Sequence, residues 1–300
     1  MSMPMSTCFR HGDRTAGVSC QRCGRPICPS CMTQASVGFH CPDCVRSGRR
    51  ASPVMRLRDL TGSRPIVTQT LIAINVAGLI ACLLTGGSIG GGGGTISDDG
   101  YLLGYGIDYY QTGPATLRVQ ELGVAAGQWY RIISGGFLHS GLLHLAMNML
   151  LLYLIGSQLE SLLGRARYLS LYMACLVAGS FGVLLVSPTT PTVGASGAVF
   201  GLMGAAVIAQ RRAGIDVLRS GIGGLVIINL LLTFASPGIS KGAHIAGLVG
   251  GVAIGALVLA LDRALKWPWV GTVVCWAISG VLFVGCLWAA DNWADPILSF

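Results

Sequence analysis

LLHLAMNMLLLYLIGSQLESLL, residues 142–163, is the stretch that decides what kind of protein this is. At about 1.5 Å per residue such a helix spans the ~30 Å hydrocarbon core of a bilayer. The run nevertheless carries His144, Asn148 and Glu160, and polar groups in hydrocarbon are costly enough that each one calls for a reason. Comparable apolar runs surround it. They are predicted at Ile66–Leu84, Tyr168–Val186, Ser196–Ala209, Val217–Phe234, Ala243–Leu261 and Val270–Ala290, giving seven spans in all. Composition agrees: of 300 residues 52% are apolar and 11% charged, against about 25% charged in soluble domains. A purely soluble chain is excluded. The expected fold class is an all-α polytopic membrane protein.

Charge and cysteine both concentrate at the N-terminal end. Ten of the 20 Lys and Arg precede residue 65, facing only Asp13, Asp43 and Asp59. A basic head can read nucleic acid. Here an apolar span follows directly, so orientation of the chain and contact with anionic lipid are the expected roles, and nucleic acid is not an expected partner. Threading seven spans from a cytoplasmic head leaves seventeen basic residues inside and three outside. That satisfies the positive-inside rule, with the C-terminus outside. No apolar core precedes the cysteines, so no signal peptide is expected.

Seven of eleven cysteines lie in the first 44 residues, as Cys8-x2-His11, Cys20-x2-Cys23, Cys28-x2-Cys31 and Cys41-x2-Cys44. Four pairs with two-residue gaps supply eight ligands, enough for two closed tetrahedral Zn2+ sites. A disulfide framework fits an odd number of cysteines poorly, whereas His11 completes the fourth pair. So short a segment buries little core, and metal would supply its folding energy. Spacing does not fix which pairs share an ion; the expectation is a cross-brace, first pair with third and second with fourth. His40 is read as a spare histidine. The segment resembles B-box-type zinc fingers. The closed ligand set fills every metal position, so the expected role is structural or partner-binding, with a cytoplasmic protein as the partner, and not catalytic. Cys82, Cys175, Cys275 and Cys286 sit in apolar runs and are read as small buried hydrophobes. The implied organisation is a finger domain at 1–45, a basic linker at 46–65, a helical core at 66–262, and a further span with a tail at 263–300.

The intramembrane polar residues share one depth. His139, His144 and Asn148 stand at the start of the second span, Ser196 opens the fourth within Gly194-Ala195-Ser196-Gly197, and His244 opens the sixth. All three spans run from outside to inside, so these groups lie just below the outer surface. Gly197, Gly201 and Ala205 on the fourth span and Gly247, Gly251 and Gly255 on the sixth form small-residue stripes that let two backbones approach. The stripes would bring the Ser196 hydroxyl to the His244 imidazole, and a serine becomes a nucleophile once a base takes its proton. His144 and Asn148, four residues apart on one face, could donate to an oxyanion together with the Ser196 N–H. Phe200 is placed to pack on the imidazole. Glu160, at the far end of its span, is read as a structural pairing or cap. The 85–135 connection is read as a Gly-rich flexible tether followed by an aromatic-cationic cluster, Trp129, Tyr130 and Arg131, in an interfacial belt.

With these motifs in place, residues 66–262 resemble a rhomboid intramembrane serine protease. Gly194-Ala195-Ser196-Gly197 is similar to the family's GxSG, His244 in GAHIAGLVGG to its base, and His139-x4-His144-x3-Asn148 to its second-span motif. The resemblance implies a six-helix core, with the seventh helix as an appendage, and Ser196 and His244 as a catalytic dyad. It further implies His144 and Asn148 as oxyanion donors and His139 as a loop-positioning residue. The implied reaction is hydrolysis of peptide bonds in or beside transmembrane segments of substrate proteins in the lipid bilayer, with no metal or organic cofactor for catalysis. Non-catalytic rhomboid-like proteins that bind and escort membrane clients are the alternative, and such relatives typically lack the serine or the histidine.

Overall fold

The computed structural model describes residues 6–34, 38–45, 64–113, 116–265, 267 and 269–292. The expected basic linker falls almost wholly outside the described residues. The chain divides into two units, Met1–Asp59 and Leu60–Phe300.

The first unit contains two small antiparallel hairpins. β1 (Val18–Ser19) pairs with β2 (Pro26–Ile27), and β3 (Thr33–Gln34) with β4 (Phe39–His40). Its buried centre is Ile27 and five of the cysteines, with Phe9, Met32 and Phe39 packed around them. One buried aliphatic side chain is a thin core.

The second unit is mainly helical. Its seven long helices are α1 (Ile66–Leu84), α2 (Leu142–Leu163), α3 (Arg165–Val186), α4 (Ser196–Arg212), α5 (Ile222–Ala235), α6 (Lys241–Leu265) and α7 (Val270–Asp291). Among the described residues five are long and apolar enough to cross a membrane: α1, α2, α3, α6 and α7. This makes the chain a multi-pass membrane protein. α4 has 17 residues and α5 has 14, so at 1.5 Å per residue α5 falls short of the ~30 Å apolar thickness. α3 is the most enclosed, with α4, α6 and α7 against it, and α6 also packs on α4. α1 leans on α2.

Glu160 fixes that last contact. Its carboxylate accepts hydrogen bonds from the backbone N–H of Val67 (2.9 Å), the N–H of Thr68 (2.8 Å) and the Thr68 hydroxyl (2.8 Å). The first N–H groups of a helix have no partner inside it, and an anion there also meets the positive end of the helix dipole. The acid of α2 therefore caps α1.

The 85–135 connection departs from expectation in three ways. The unit is not all-α, because β5 (Gly106–Gly113) and β6 (Thr116–Leu122) pair as an antiparallel hairpin, Ile107 opposite Glu121 and Tyr109 opposite Val119. The Gly-rich stretch is not a loose tether. Gly92, Gly93 and Gly94 hold positive φ (66°, 84° and 87°), and the Leu142 N–H donates to the Ile89 carbonyl at 2.9 Å, fastening the stretch to the start of α2. Glycine supplies turns here that other residues resist. Finally, Arg131 is not in an interfacial belt but 1% exposed. It donates to the Gln128 side chain (2.7 Å) and to the carbonyls of Asp98 and Tyr101 (both 3.0 Å), under the Tyr101 ring. A guanidinium with several donors can organise a loop from within by satisfying its carbonyls. Trp129 stays exposed, edge-on to Phe283 of α7.

Candidate active site and metal centres

Glycine brings α3, α4 and α6 into backbone contact. A Cβ added at Gly247 would strike the Gly197 carbonyl, one at Gly251 the Gly201 carbonyl, and one at Gly255 would lie 2.9 Å from the Ala205 Cα. The two stripes read in the sequence therefore face each other along their length. Gly179 of α3 completes the junction, its added Cβ falling 3.0 Å from the Gly197 Cα. Such close approach excludes side chains from the seam and fixes how the rods align.

Ser196 is the first residue of α4, and His244 lies in the first turn of α6. The Phe200 ring, one turn beyond Ser196, stacks on the His244 imidazole with centroids 4.1 Å apart and planes inclined by 21°. His244 is buried, and its Nδ1 lies 2.7 Å from the hydroxyl of Thr233 on α5. Sequence reasoning did not single out Thr233. An isolated threonine in the apolar run of α5 carries no spacing signal toward a histidine in the next helix.

Gly194 precedes the serine with φ +123°, a conformation side-chain-bearing residues resist. A Cβ there would come within 2.7 Å of the His144 Cε1 and 2.8 Å of its Nε2, and 3.8 Å from the Ser196 Oγ. The imidazole of α2 thus lies against the Gly194 backbone beside the serine. The Nδ1 of His144 meets the Ser140 hydroxyl at 3.0 Å, and its ring meets His139 edge-on at 5.1 Å. His139 is 1% exposed, in the turn that leads into α2. The Asn148 amide donates to the His144 carbonyl at 2.9 Å, which uses one of its two N–H groups. The predicted residues His139, His144, Gly194, Ser196, Gly197, Phe200 and His244 are therefore joined by a chain of contacts at one end of the bundle, with Asn148 one turn along α2. A small cavity lined in part by Gly135, Gly179, Ser180, Thr192, Gly194 and Gly197 adjoins them. The Ser196 N–H, among the first of α4, has no acceptor within its own helix and suits developing negative charge.

The head gathers its ligands as the cross-brace expectation has it. Cys8, His11, Cys28 and Cys31 form one group and Cys20, Cys23, Cys41 and Cys44 another, the ligand atoms of each all within 4.8 Å of one another. His11 turns Nδ1 inward, 3.3 Å from the Cys31 Sγ and 3.5 Å from the Cys28 Sγ. His40 belongs to neither group. The Cys28 thiol is drawn down to about 7, first by the Ser30 hydroxyl beside it, while burial pushes Cys31 up to about 11. The donor atoms of each group lie close enough together to share one thiolate-binding cation. Sulfur-rich sets of four suit Zn2+ in a closed tetrahedral site. Cys82, Cys175, Cys275 and Cys286 are all buried in the helical unit.

The rhomboid domain model matches residues 126–261. The chain is 37% identical over 144 residues to the rhomboid protease GluP of Bacillus subtilis, a match covering 47% of this chain and 28% of that protein. It is 34% identical over 146 residues to YdcA of the same organism, with 45% of this chain and 70% of YdcA covered. The chain belongs to the rhomboid family. A plant rhomboid, RHOMBOID-like protein 4 of Arabidopsis thaliana, is 32% identical over 161 residues, covering 49% of this chain and 40% of that protein. The chain thus spans only part of these rhomboids, 28% of GluP and 40% of the plant protein. The domain match takes in α2 to α5 and most of α6, with the whole contact chain around Ser196, and leaves α1, the β5–β6 hairpin, α7 and the Cys-rich head outside.

Proposed function

We propose that this rhomboid is an intramembrane serine endopeptidase that cuts peptide bonds in or beside the transmembrane segments of other membrane proteins. Ser196 is the nucleophile and His244 the general base. The observation that carries the reading is the Phe200–His244 stack: a ring one turn beyond the serine holds the imidazole over the serine's own helix. The glycine seam beneath adds support, because it fixes α4 and α6 against each other by main-chain contact.

In this reading the Ser196 Oγ attacks the scissile carbonyl carbon while its proton passes to the His244 imidazole. The oxyanion is met by the Ser196 N–H and by donors from His144 and Asn148. Collapse breaks the C–N bond as the imidazole returns the proton to the leaving amine, and water then releases the acyl group. A substrate helix must unwind locally, since its scissile carbonyl is otherwise held in a backbone hydrogen bond. All seven long helices traverse the bilayer, α4 and α5 within a thinned or partly hydrated region. The head is cytoplasmic, and the site opens toward the outer face, in keeping with the charge bias. Both tetrads of the head bind structural Zn2+, and the finger so formed engages a cytoplasmic protein.

Ser196→Ala tests the enzymatic reading. With a transmembrane substrate in proteoliposomes, cleavage falls by about 10⁴-fold or more while the melting temperature stays near wild type. Undiminished cleavage by that variant refutes the assignment.

A further inference from the structure

Thr233 is fully buried near the end of α5, a helix whose only other buried residues are Ile222 and Gly223. Its Oγ1 makes two short contacts, 2.7 Å to the Asn229 carbonyl one turn back and 2.7 Å to the Nδ1 of His244. A hydroxyl owns one proton. A carbonyl oxygen can only accept, so that proton belongs to the Asn229 contact. The second contact is then a hydrogen bond only if His244 donates, that is, if the neutral ring carries its hydrogen on Nδ1. The opposite assignment gives the hydroxyl proton to Nδ1 and leaves two oxygens, Thr233 Oγ1 and Asn229 O, facing each other at 2.7 Å with no hydrogen between them.

From this proton count we infer that Thr233 is a positioning residue for the base: it holds His244 in the Nδ1–H tautomer, with the Nε2 lone pair free to take a proton. The inference rests on the proposed Ser196–His244 dyad and adds to it the group that orients the base. Phe200 fixes the plane of the ring by stacking, and Thr233 fixes rotation within that plane. Two restraints leave the ring one productive setting. When the Ser196 proton reaches Nε2, both ring nitrogens carry hydrogen. Thr233 continues to accept from Nδ1 while its own proton stays with Asn229, so no atom in the relay must reorganise. A neutral hydroxyl here takes the part that a carboxylate plays in a serine triad. It steadies the imidazolium less, but its burial does not introduce a charge into hydrocarbon.

The test uses the full-length protein in bicelles, labelled with 15N-histidine, with the His244 signals assigned by their loss in His244→Asn. Ring-nitrogen shifts report the tautomer without any substrate. Wild type and Thr233→Ser show Nδ1–H, and Thr233→Val, equal in shape but lacking the hydroxyl, shows a mixed or Nε2–H ring. In parallel, a fluorophosphonate reports the reactivity of Ser196, and a transmembrane-peptide substrate gives kcat and KM. General-base catalysis contributes about 10²–10⁴-fold. Thr233→Val should forfeit part of that, roughly 10–100-fold in labelling rate and kcat with KM unchanged, and Thr233→Ser should recover most of it. A wild-type ring protonated on Nε2 overturns the inference with no variant needed, and so does a folded Thr233→Val with wild-type tautomer and labelling rate. Should Thr233→Val fail to fold, Thr233→Ala and the wild-type spectrum decide the matter. If Ser196→Ala abolishes cleavage while Thr233→Val matches wild type, the Thr233 inference alone falls. If Ser196→Ala cleaves normally, the dyad falls, and the spectra still report who donates to whom.

Discussion

In the head, Ile27 and a few half-buried side chains surround two thiol-rich tetrads. In the helical unit four cysteines are all buried, yet among the described residues none belongs to a group of four ligands; they lie among leucines, valines and alanines. The same residue type has two physical jobs. Where the chain is short and charged, sulfur is gathered into sets of four that could hold a metal ion, and on the proposed reading the fold depends on what they bind. Where the chain is long and apolar, sulfur is filler, and stability comes from close helix packing.

Breaking the metal side of that contrast carries the largest expected effect. If the tetrads hold Zn2+ as proposed, its removal with a strong chelator forfeits a binding free energy of about 10–16 kcal/mol. The head then loses protection from protease and its dispersed amide spectrum, while thermal unfolding of the helical unit stays where it was. A head that keeps its spectrum after chelation would show that its small core suffices alone.

The packing side breaks at the seam. Gly251→Val places carbon where the Gly201 carbonyl stands, and main chain cannot rotate away. Overpacking of this kind costs about 1–3 kcal/mol, occasionally more, and here it also separates α4 from α6. Unfolding in detergent should move to lower temperature, with a loss of Ser196 labelling greater than the stability change predicts. Gly280→Val is the control, since nothing stands within 4 Å of an added Cβ there. Equal behaviour of the two variants would mean that the seam does not set the site.

The smallest effect sharpens the comparison at one polar contact. Glu160→Gln keeps the shape of the α1 cap but removes its charge and part of its accepting capacity. Bonds to a charged acceptor contribute about 1.5–3 kcal/mol, so a loss near the low end of that range is expected. Unfolding in denaturant measures it, and Ser196 reactivity should be unaltered, because the Glu160 cap lies more than four turns along α2 from His144.

How much of this was legible beforehand depended on whether the signal was local. The long helices came out close to their predicted bounds, α1 and α2 with the same end residues, because apolar length is written residue by residue. The facing glycine stripes were readable too, since a four-residue period names its own surface; the cysteines were readable as pairs, while which pairs come together is set by the fold and not by spacing. The β5–β6 hairpin was missed although Ile107-Asp108-Tyr109 and Leu117-Arg118-Val119 alternate on either side of Gly113-Pro114; the glycine run before it drew the reading toward a tether. Arg131 was misplaced because its acceptors, the carbonyls of Asp98 and Tyr101, lie thirty or more positions away. Carbonyls belong to every residue and leave no trace in a sequence. Thr233 escaped for a similar reason: its partner is set by how α5 meets α6, not by any spacing along one rod.

The seam between α4 and α6 has one more consequence. Side chains can swap rotamers, and a site built on them can be retuned by one substitution nearby. Where carbonyl meets glycine with nothing interposed, there is no dial to turn. If the proposed protease activity holds, any drift in substrate choice must be written elsewhere, in the hairpin, the loop around Arg131 or the thinly seated α5, while the alignment of α4 and α6 stays locked to bare main chain.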